Sequence, residues 1–333
     1  MPSRSVPKKI SGKQQRSLLE KKDRELKTLK QRAEDLCTGD QKMSKTKRVI
    51  SKGAEKWIDN PISVLDHGFV YLVDYMGDDL SIEQAARTSY GPGTKKSSNS
   101  TGLIRYLMRH RHTSPVEMVD LKFHLKMPIF VARQWMRHRT ASINEMSARY
   151  SVLPSEFYIP EVKNINKQSS VNNQGRGDQI CENKSNIIRS TFIADAQQAY
   201  DHYEQMLNAY DLARETARGN LPVNIYTEFY WKINLHNLLH FLNLRLDSHS
   251  QLEIREYAQA IEKIVADGWP IAYSAFNDYV RNAITFSDKE VLALARMLGD
   301  LNIESKDAAC DMTSREQSEF VSKISRILDS DLI

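Results

Sequence analysis

Between Gln134 and Tyr150 the chain carries Arg137, His138, Arg139, Ser142, Asn144, Glu145, Ser147, Arg149 and Tyr150, with little apolar content among them. Such a polar run is poorly suited to a core. Arg137, His138 and Arg139 suit phosphates or carboxylates, because a guanidinium offers a planar fork of donors to two oxygens. The same cations also suit a helix C-terminus, where they meet the negative end of the macrodipole. From residue types alone both readings stay open. His236 and His240 sit at i and i+4, half of a zinc site, but Asn237 stands where a zinc-protease motif needs Glu and no third ligand is evident. A hydrogen-bonded helical pair is the plainer reading.

The elements that must position these residues are set by periodicity. Phe69 to Met76, rich in Val, Tyr and Phe, predicts a strand, and Ser81 with Gln84 predicts a capping box opening a helix through Ala86. Gly91-Pro92-Gly93 lacks the spacing of a phosphate-wrapping loop and is read as a plain turn. A helix with Ile104, Leu107 and Met108 ends in Arg109-His110-Arg111-His112, before Ser114-Pro115. Val119, Leu121, Phe123, Leu125 and Met127 alternate with polar residues, the period of a half-buried strand. Pro128 is expected at the first position of a helix running from Ile129 to about Arg139, which places Gln134, Arg137 and His138 on one face.

Further on, one long helix is expected from Ile187 to about Arg218 and a second from Pro222 through Arg245. The polar stretch 164–186 reads as a mobile surface loop. Ser287 and Glu290 cap a later helix that Gly299 ends, and a helical tail closes the sequence. The expected organisation is an extension over 1–60, a catalytic domain over 61–283 and a tail over 284–333. The fold class is α/β, or α+β: a mixed central sheet flanked by long helices.

Length and composition bound this picture. The 333 residues, 41% hydrophobic, allow one large domain with appendages, or at most two domains. No apolar run is long enough to cross a bilayer, and the basic start lacks the apolar stretch of a secretory signal, so a cytoplasmic location is expected. Cys37, Cys181 and Cys310 are far apart and form no C-x-x-C pair, which argues against a disulfide framework. The net charge of +5 resides in the arm: residues 1–53 hold 16 Lys and Arg against 6 Asp and Glu, and the remainder holds 31 against 36. Leu19, Leu26, Leu29, Ala33 and Leu36 keep heptad-like spacing, so an exposed helix over Arg16–Leu36 is expected within a partly disordered extension. The alternative for the whole chain is a non-catalytic nucleotide- or RNA-binding protein that grips with this arm. Against it, no recognition-module signature appears and no specific nucleic acid is expected.

Arg137-His138-Arg139, seven residues, Ser147, Ala148 and Arg149 resemble the signature of the flavin-dependent thymidylate synthases. His112-Thr113-Ser114-Pro115-Val116-Glu117 is similar to a second segment of that family, as are the stretch Asn234 to Arg245 and Gln251-Leu252-Glu253-Ile254-Arg255. The resemblance covers about residues 61–280. It departs at Val116 and Met118, where many members have Phe and His, and at His236, where an Arg is often found.

The resemblance implies a methylation of dUMP to dTMP, with FAD as cofactor and NADPH and methylenetetrahydrofolate as co-substrates. Arg137, His138, Arg139, Ser114, Glu145, Asn234, His236 and His240 match positions that contact FAD, and His112 matches a histidine beside the flavin. Gln134, Arg137, Glu145, Ser147, Arg149, Arg218 and Arg245 match positions that cradle dUMP. Arg245 and Ser147 are the implied catalytic pair: Arg245 stabilises negative charge developing on the pyrimidine, and Ser147 positions the uracil rather than attacking it. The resemblance also implies a homotetramer whose sites draw on more than one subunit.

Overall fold

The structure is a computed structural model that describes residues 48–89, 100–170, 174–298 and 312–328. The arm helix, the Gly91-Pro92-Gly93 turn and Gly299 lie outside these residues. The chain divides after Arg48, and every element of the fold described here belongs to the unit from Val49 onward.

That unit begins inside the stretch read as extension. A one-turn helix, α1 (Lys52–Glu55), is capped by Ser51, whose hydroxyl also donates to the Gly268 carbonyl at 2.6 Å while its amide donates to the Tyr75 hydroxyl at 2.9 Å. A Cβ on Gly53 would lie 1.8 Å from the Asp267 carbonyl oxygen, so only glycine permits this approach.

Five strands form a sheet in the order β1 (Ile62–Val64), β2 (Gly68–Met76), β3 (Asp120–Pro128), β7 (Tyr226–Asn234) and β4 (Ser142–Glu145), paired antiparallel throughout. The expected sheet flanked by helices is present, with its strands antiparallel rather than mixed. One sheet face collects Val70, Leu72, Leu121, Phe123, Leu125, Phe229, Trp231 and Ile233. It packs against α6 (Leu235–Arg245) and α7 (Leu252–Gly268), whose buried stripes include Leu238, Leu242, Ile254, Ile261 and Ile264. The flanking helices α2 (Asp79–Arg87), α3 (Ser100–Arg109), α4 (Ile129–Trp135) and α8 (Pro270–Phe276) complete this core.

Several expectations are corrected. The cap of α2 is Asp78, not Ser81; Ser81 is the third helical residue and reciprocates by accepting from the Asp78 amide. Pro128 ends β3 and stands just before α4 rather than inside it, and the first amides of α4 donate to Ile225 and Val223 carbonyls at 2.9 and 3.0 Å. That helix stops at Trp135, so Arg137 and His138 lie in the turn beyond it and do not share a helical face with Gln134. The long helix α5 (Glu182–Asn208) ends ten residues before Arg218, because Asp211 turns to a φ of 52° and Leu212 N caps the Met206 carbonyl at 2.9 Å.

Residues 226–234 form strand β7 instead of a helical turn run. Phe229, Trp231 and Ile233 are buried while Tyr230 and Lys232 are exposed, a period of two that the adjoining helix had masked. The expected loop 164–186 contains a hairpin, β5 (Asn166–Gln168) and β6 (Arg176–Gln179), and then the start of α5. Ser287 and Glu290 do cap a helix, α9 (Asp288–Leu298). The final helix, α10 (Ser314–Leu328), is clasped to α3: Arg109 is forked by Glu319 at 2.6 and 3.0 Å, and Arg105 meets Glu316 at 3.0 Å. Among the described residues no helix is long and apolar enough to cross a membrane.

Candidate functional site

Trp135 sets the end of α4. It is fully buried, with its ring 4.4 Å from that of Phe241 on α6 and 5.1 Å from that of Trp231 on β7. The chain then turns, with Arg137 N and His138 N donating to Gln134 O and Trp135 O at 3.3 and 3.0 Å. This brings the His138 ring edge-on to Phe241, 4.8 Å between centroids, and directs it at the last residue of α6.

That residue is Arg245. Its Nε donates to His138 Nε2 at 2.9 Å, and its terminal nitrogen reaches the Gln134 carbonyl at 3.4 Å. Burial lowers the His138 pKa to about 4, helped by Arg245 and then His240. The imidazole is therefore neutral near pH 7, and the hydrogen bond assigns its proton to Nδ1. Burial also pushes the Arg245 guanidinium down from its ordinary value. Gln134 and Arg245 line a cavity of about 890 Å³ shared with Asp247, His249, Gln251 and Arg281. Sequence reasoning named Gln134, His138 and Arg245 separately; the fold joins them.

Arg137 and Arg139 are exposed, and among the described residues neither side chain has a hydrogen-bond or ion-pair partner. The next group lies along β4 and the turn after it. The Glu145 carboxylate accepts from Thr227 Oγ1 at 2.7 Å, and Ser147 Oγ accepts from the Arg149 amide at 3.3 Å. Arg149 pairs with Glu215 at 2.7 Å, while Arg218 Nε donates to the Glu215 carbonyl at 3.4 Å. Arg149 and Glu215 border a separate cavity of about 460 Å³.

The remaining candidates lie elsewhere. Asn234 caps α6, accepting from Asn237 N at 2.9 Å. His236 is half-buried and His240 exposed on the same helix. His112 and Ser114 are exposed in the turn after α3, with the Tyr106 ring edge-on to His112 at 5.9 Å. One chain thus brings together Gln134, His138 and Arg245, and gathers Ser147, Arg149 and Arg218 near Glu215. It does not merge these groups into one pocket.

Sequence reasoning missed Glu215, Arg176 and the roles of Gln251 and Glu253. Gln251 and Glu253 stood in a segment quoted for its resemblance, without a function. Arg176 was hidden in a stretch whose Asn, Ser and Gly content read as loop.

Comparison with known proteins adds an independent line. The profile of the family described as "Thymidylate synthase complementing protein" matches residues 71–271. The flavin-dependent thymidylate synthase of Ruegeria pomeroyi is 51% identical over 284 residues, covering 84% of this chain and 93% of that protein. That of Rickettsia conorii is 49% identical over 288 residues, covering 83% and 97%. Among solved structures, the UMP/dUMP methylase PolB from Streptomyces cacaoi, bound with 5-Br UMP, superposes with a TM-score of 0.60 at 34% identity, covering 66% of this chain and 98% of that one. With more than half its length matched by the profile and about half the aligned residues identical in these relatives, the chain belongs to the thymidylate synthase complementing protein family.

Proposed function

We propose that this protein is a flavin-dependent thymidylate synthase that methylates dUMP to dTMP. Methylenetetrahydrofolate is the carbon donor and NADPH the reductant. The observation that carries the reading is the Arg245–His138–Gln134 arrangement: a half-buried guanidinium, held by a neutral imidazole and a backbone carbonyl, at the wall of a cavity large enough for a nucleotide.

The chain's residues divide the work. Arg245 stabilises negative charge as it develops on the pyrimidine, and because its Nε is already bonded to His138, its terminal nitrogens keep one direction. Gln134 and Arg137 complete the nucleotide contacts on this side. Ser147, Arg149, Arg218 and Glu145 supply the contacts on the β4 side, where arginines match the charge of a phosphate. Glu215 holds Arg149 until an anion competes for it.

The donor set fits FAD. Arg137 and Arg139 are exposed guanidiniums without described partners beside a neutral His138, a pattern suited to a pyrophosphate and an electron-rich ring. His112, Ser114, Asn234, His236 and His240 join them in the proposed set. When bound and reduced, the flavin supplies the hydride that completes the methyl group.

We assign the working form as a homotetramer with shared sites. Two features support it: the Arg245 and Arg149 groups border different cavities within one chain, and α5 exposes Ile187, Phe192 and Ile193. In this reading the catalytic domain spans 61–283 together with the packed Ser51–Glu55 segment. The enzyme works in the cytoplasm, without a membrane or nucleic-acid partner.

The test is an anaerobic assay with FAD, NADPH, dUMP and methylenetetrahydrofolate, monitoring flavin absorbance and dTMP. Formation of dTMP that needs all four is expected. Reduction of bound flavin without dTMP would remove the substrate claim, and failure to bind flavin would remove the whole reading.

A further inference from the structure

Glu253 lies in the first turn of α7 and is only 2% exposed. A carboxylate so buried needs donors, and it has them on both oxygens. The Tyr158 hydroxyl donates to Oε1 at 2.9 Å, and Arg176 of the β5–β6 hairpin donates to the same oxygen. Gln251 Nε2 donates to Oε2 at 2.8 Å. Burial raises the Glu253 pKa most, but Arg176 together with the hydrogen bonds the carboxylate accepts, Gln251's among them, holds the carboxyl below its ordinary value.

An ionised carboxylate only accepts, and this fixes the direction of every hydrogen bond between Glu253 and Gln134. Gln251 must turn its NH₂ toward Glu253, which leaves its Oε1 as an acceptor. Gln134 Nε2 donates to that oxygen. Gln134 therefore turns its amide oxygen away from Gln251, while its backbone carbonyl accepts from Arg245. Arg176, Glu253 and Gln251 come from a hairpin and from the start of α7, and reach Gln134 on α4 through the Arg176–Glu253 ion pair and the hydrogen bonds that follow it. The hairpin is anchored at the same point, as Arg176 also donates to the Asn164 carbonyl at 3.2 Å.

We propose that Arg176, Glu253 and Gln251 are positioning residues that set the orientation of the Gln134 amide for dUMP, so that Arg176 acts on nucleotide binding through Gln134, in a cavity that Gln174 of the same hairpin lines directly. The proposal rests on the dUMP reading of the Gln134 and Arg245 cavity. Replacing Glu253 by Gln keeps shape but lets the 253 side chain donate, so both glutamine amides lose their fixed direction.

The experiment is steady-state kinetics and dUMP titration on the full-length holoenzyme, with thermal unfolding run on every variant. Glu253→Gln and Arg176→Gln are expected to raise KM for dUMP about tenfold, the scale of one misplaced hydrogen bond, with kcat within about twofold and flavin content unchanged. Gln251→Ala tests the link while the buried carboxylate keeps its Tyr158 and Arg176 donors. In a cycle with Gln134→Ala, the double variant is expected to lose no more dUMP affinity than Gln134→Ala alone. Losses that multiply, or a KM for Glu253→Gln equal to wild type in an enzyme that makes dTMP, would overturn the relay. Wild-type protein that binds no dUMP would overturn both the relay and the reading beneath it.

Discussion

The two halves of the site differ in how far the single chain has finished them. Around Arg245 the His138 imidazole and the Gln134 carbonyl accept from the guanidinium in fixed directions, and the aromatic contacts of Trp135 and Phe241 lock the backbone on either side. Around Arg137, Arg139 and Arg149 the guanidiniums are exposed, and the one ion pair among the described residues there, with Glu215, is exposed on both partners. The first half is preorganised, as transition-state stabilisation requires. The second half leaves its guanidiniums solvated, where in the proposed function they would meet ligand anions, and their cost in the free protein is small because water solvates them.

The contrast can be broken in four places. Arg245→Ala is expected to lower the rate of dTMP formation by about 100- to 1000-fold while flavin content stays at wild type, which is the scale of losing one preorganised donor. Turnover near wild type in that variant would remove Arg245 from the chemistry. Arg137→Ala comes next: flavin affinity should fall about tenfold or more, yet the thermal midpoint should not move, since no described contact is lost. A lowered midpoint with flavin retained would make Arg137 a structural residue.

The third test uses acid. His138 has a folded pKa of about 4, below the ordinary 6.5, so between these values the unfolded chain binds a proton that the folded one refuses. Stability is therefore expected to fall as pH drops from about 6.5 to about 4, and His138→Gln should flatten that part of the profile in chemical denaturation. An unchanged slope would place the titration on another group. The smallest effect is expected at Glu215→Gln, which should cost under about 1 kcal/mol because the Arg149 pair is solvent-exposed. If the unfolding free energy drops by several kcal/mol instead, the second half is as firmly built as the first.

Legibility in the sequence divides along similar lines. β3 was legible because Leu121, Phe123, Leu125 and Met127 face one core and their neighbours face away, so the period of two survives intact. β7 was not, since buried Tyr226 and Thr227 interrupt its alternation and the apolar α6 continues from it without a break. The hairpin of Arg176 lacks any apolar face to announce it. Arg137, Ser147 and Arg149 could be picked out because they stand close together in one polar local motif. The direction of Gln134 could not, because it depends on Arg176, Gln251 and Glu253, which meet only after folding.

The clasp between α3 and α10 has a consequence for ionic strength. Arg109 is 9% exposed and doubly held by Glu319, and Glu316 beside it has a pKa lowered to about 2, where burial is outweighed by hydrogen bonds from Tyr279, Thr313 and Arg105. Counter-ions reach such a pair poorly, whereas the Debye length of about 8 Å at physiological salt already weakens open pairs such as Arg149 with Glu215. Raising salt therefore loosens the exposed Arg149–Glu215 pair well before it loosens the clasp of α10 on α3.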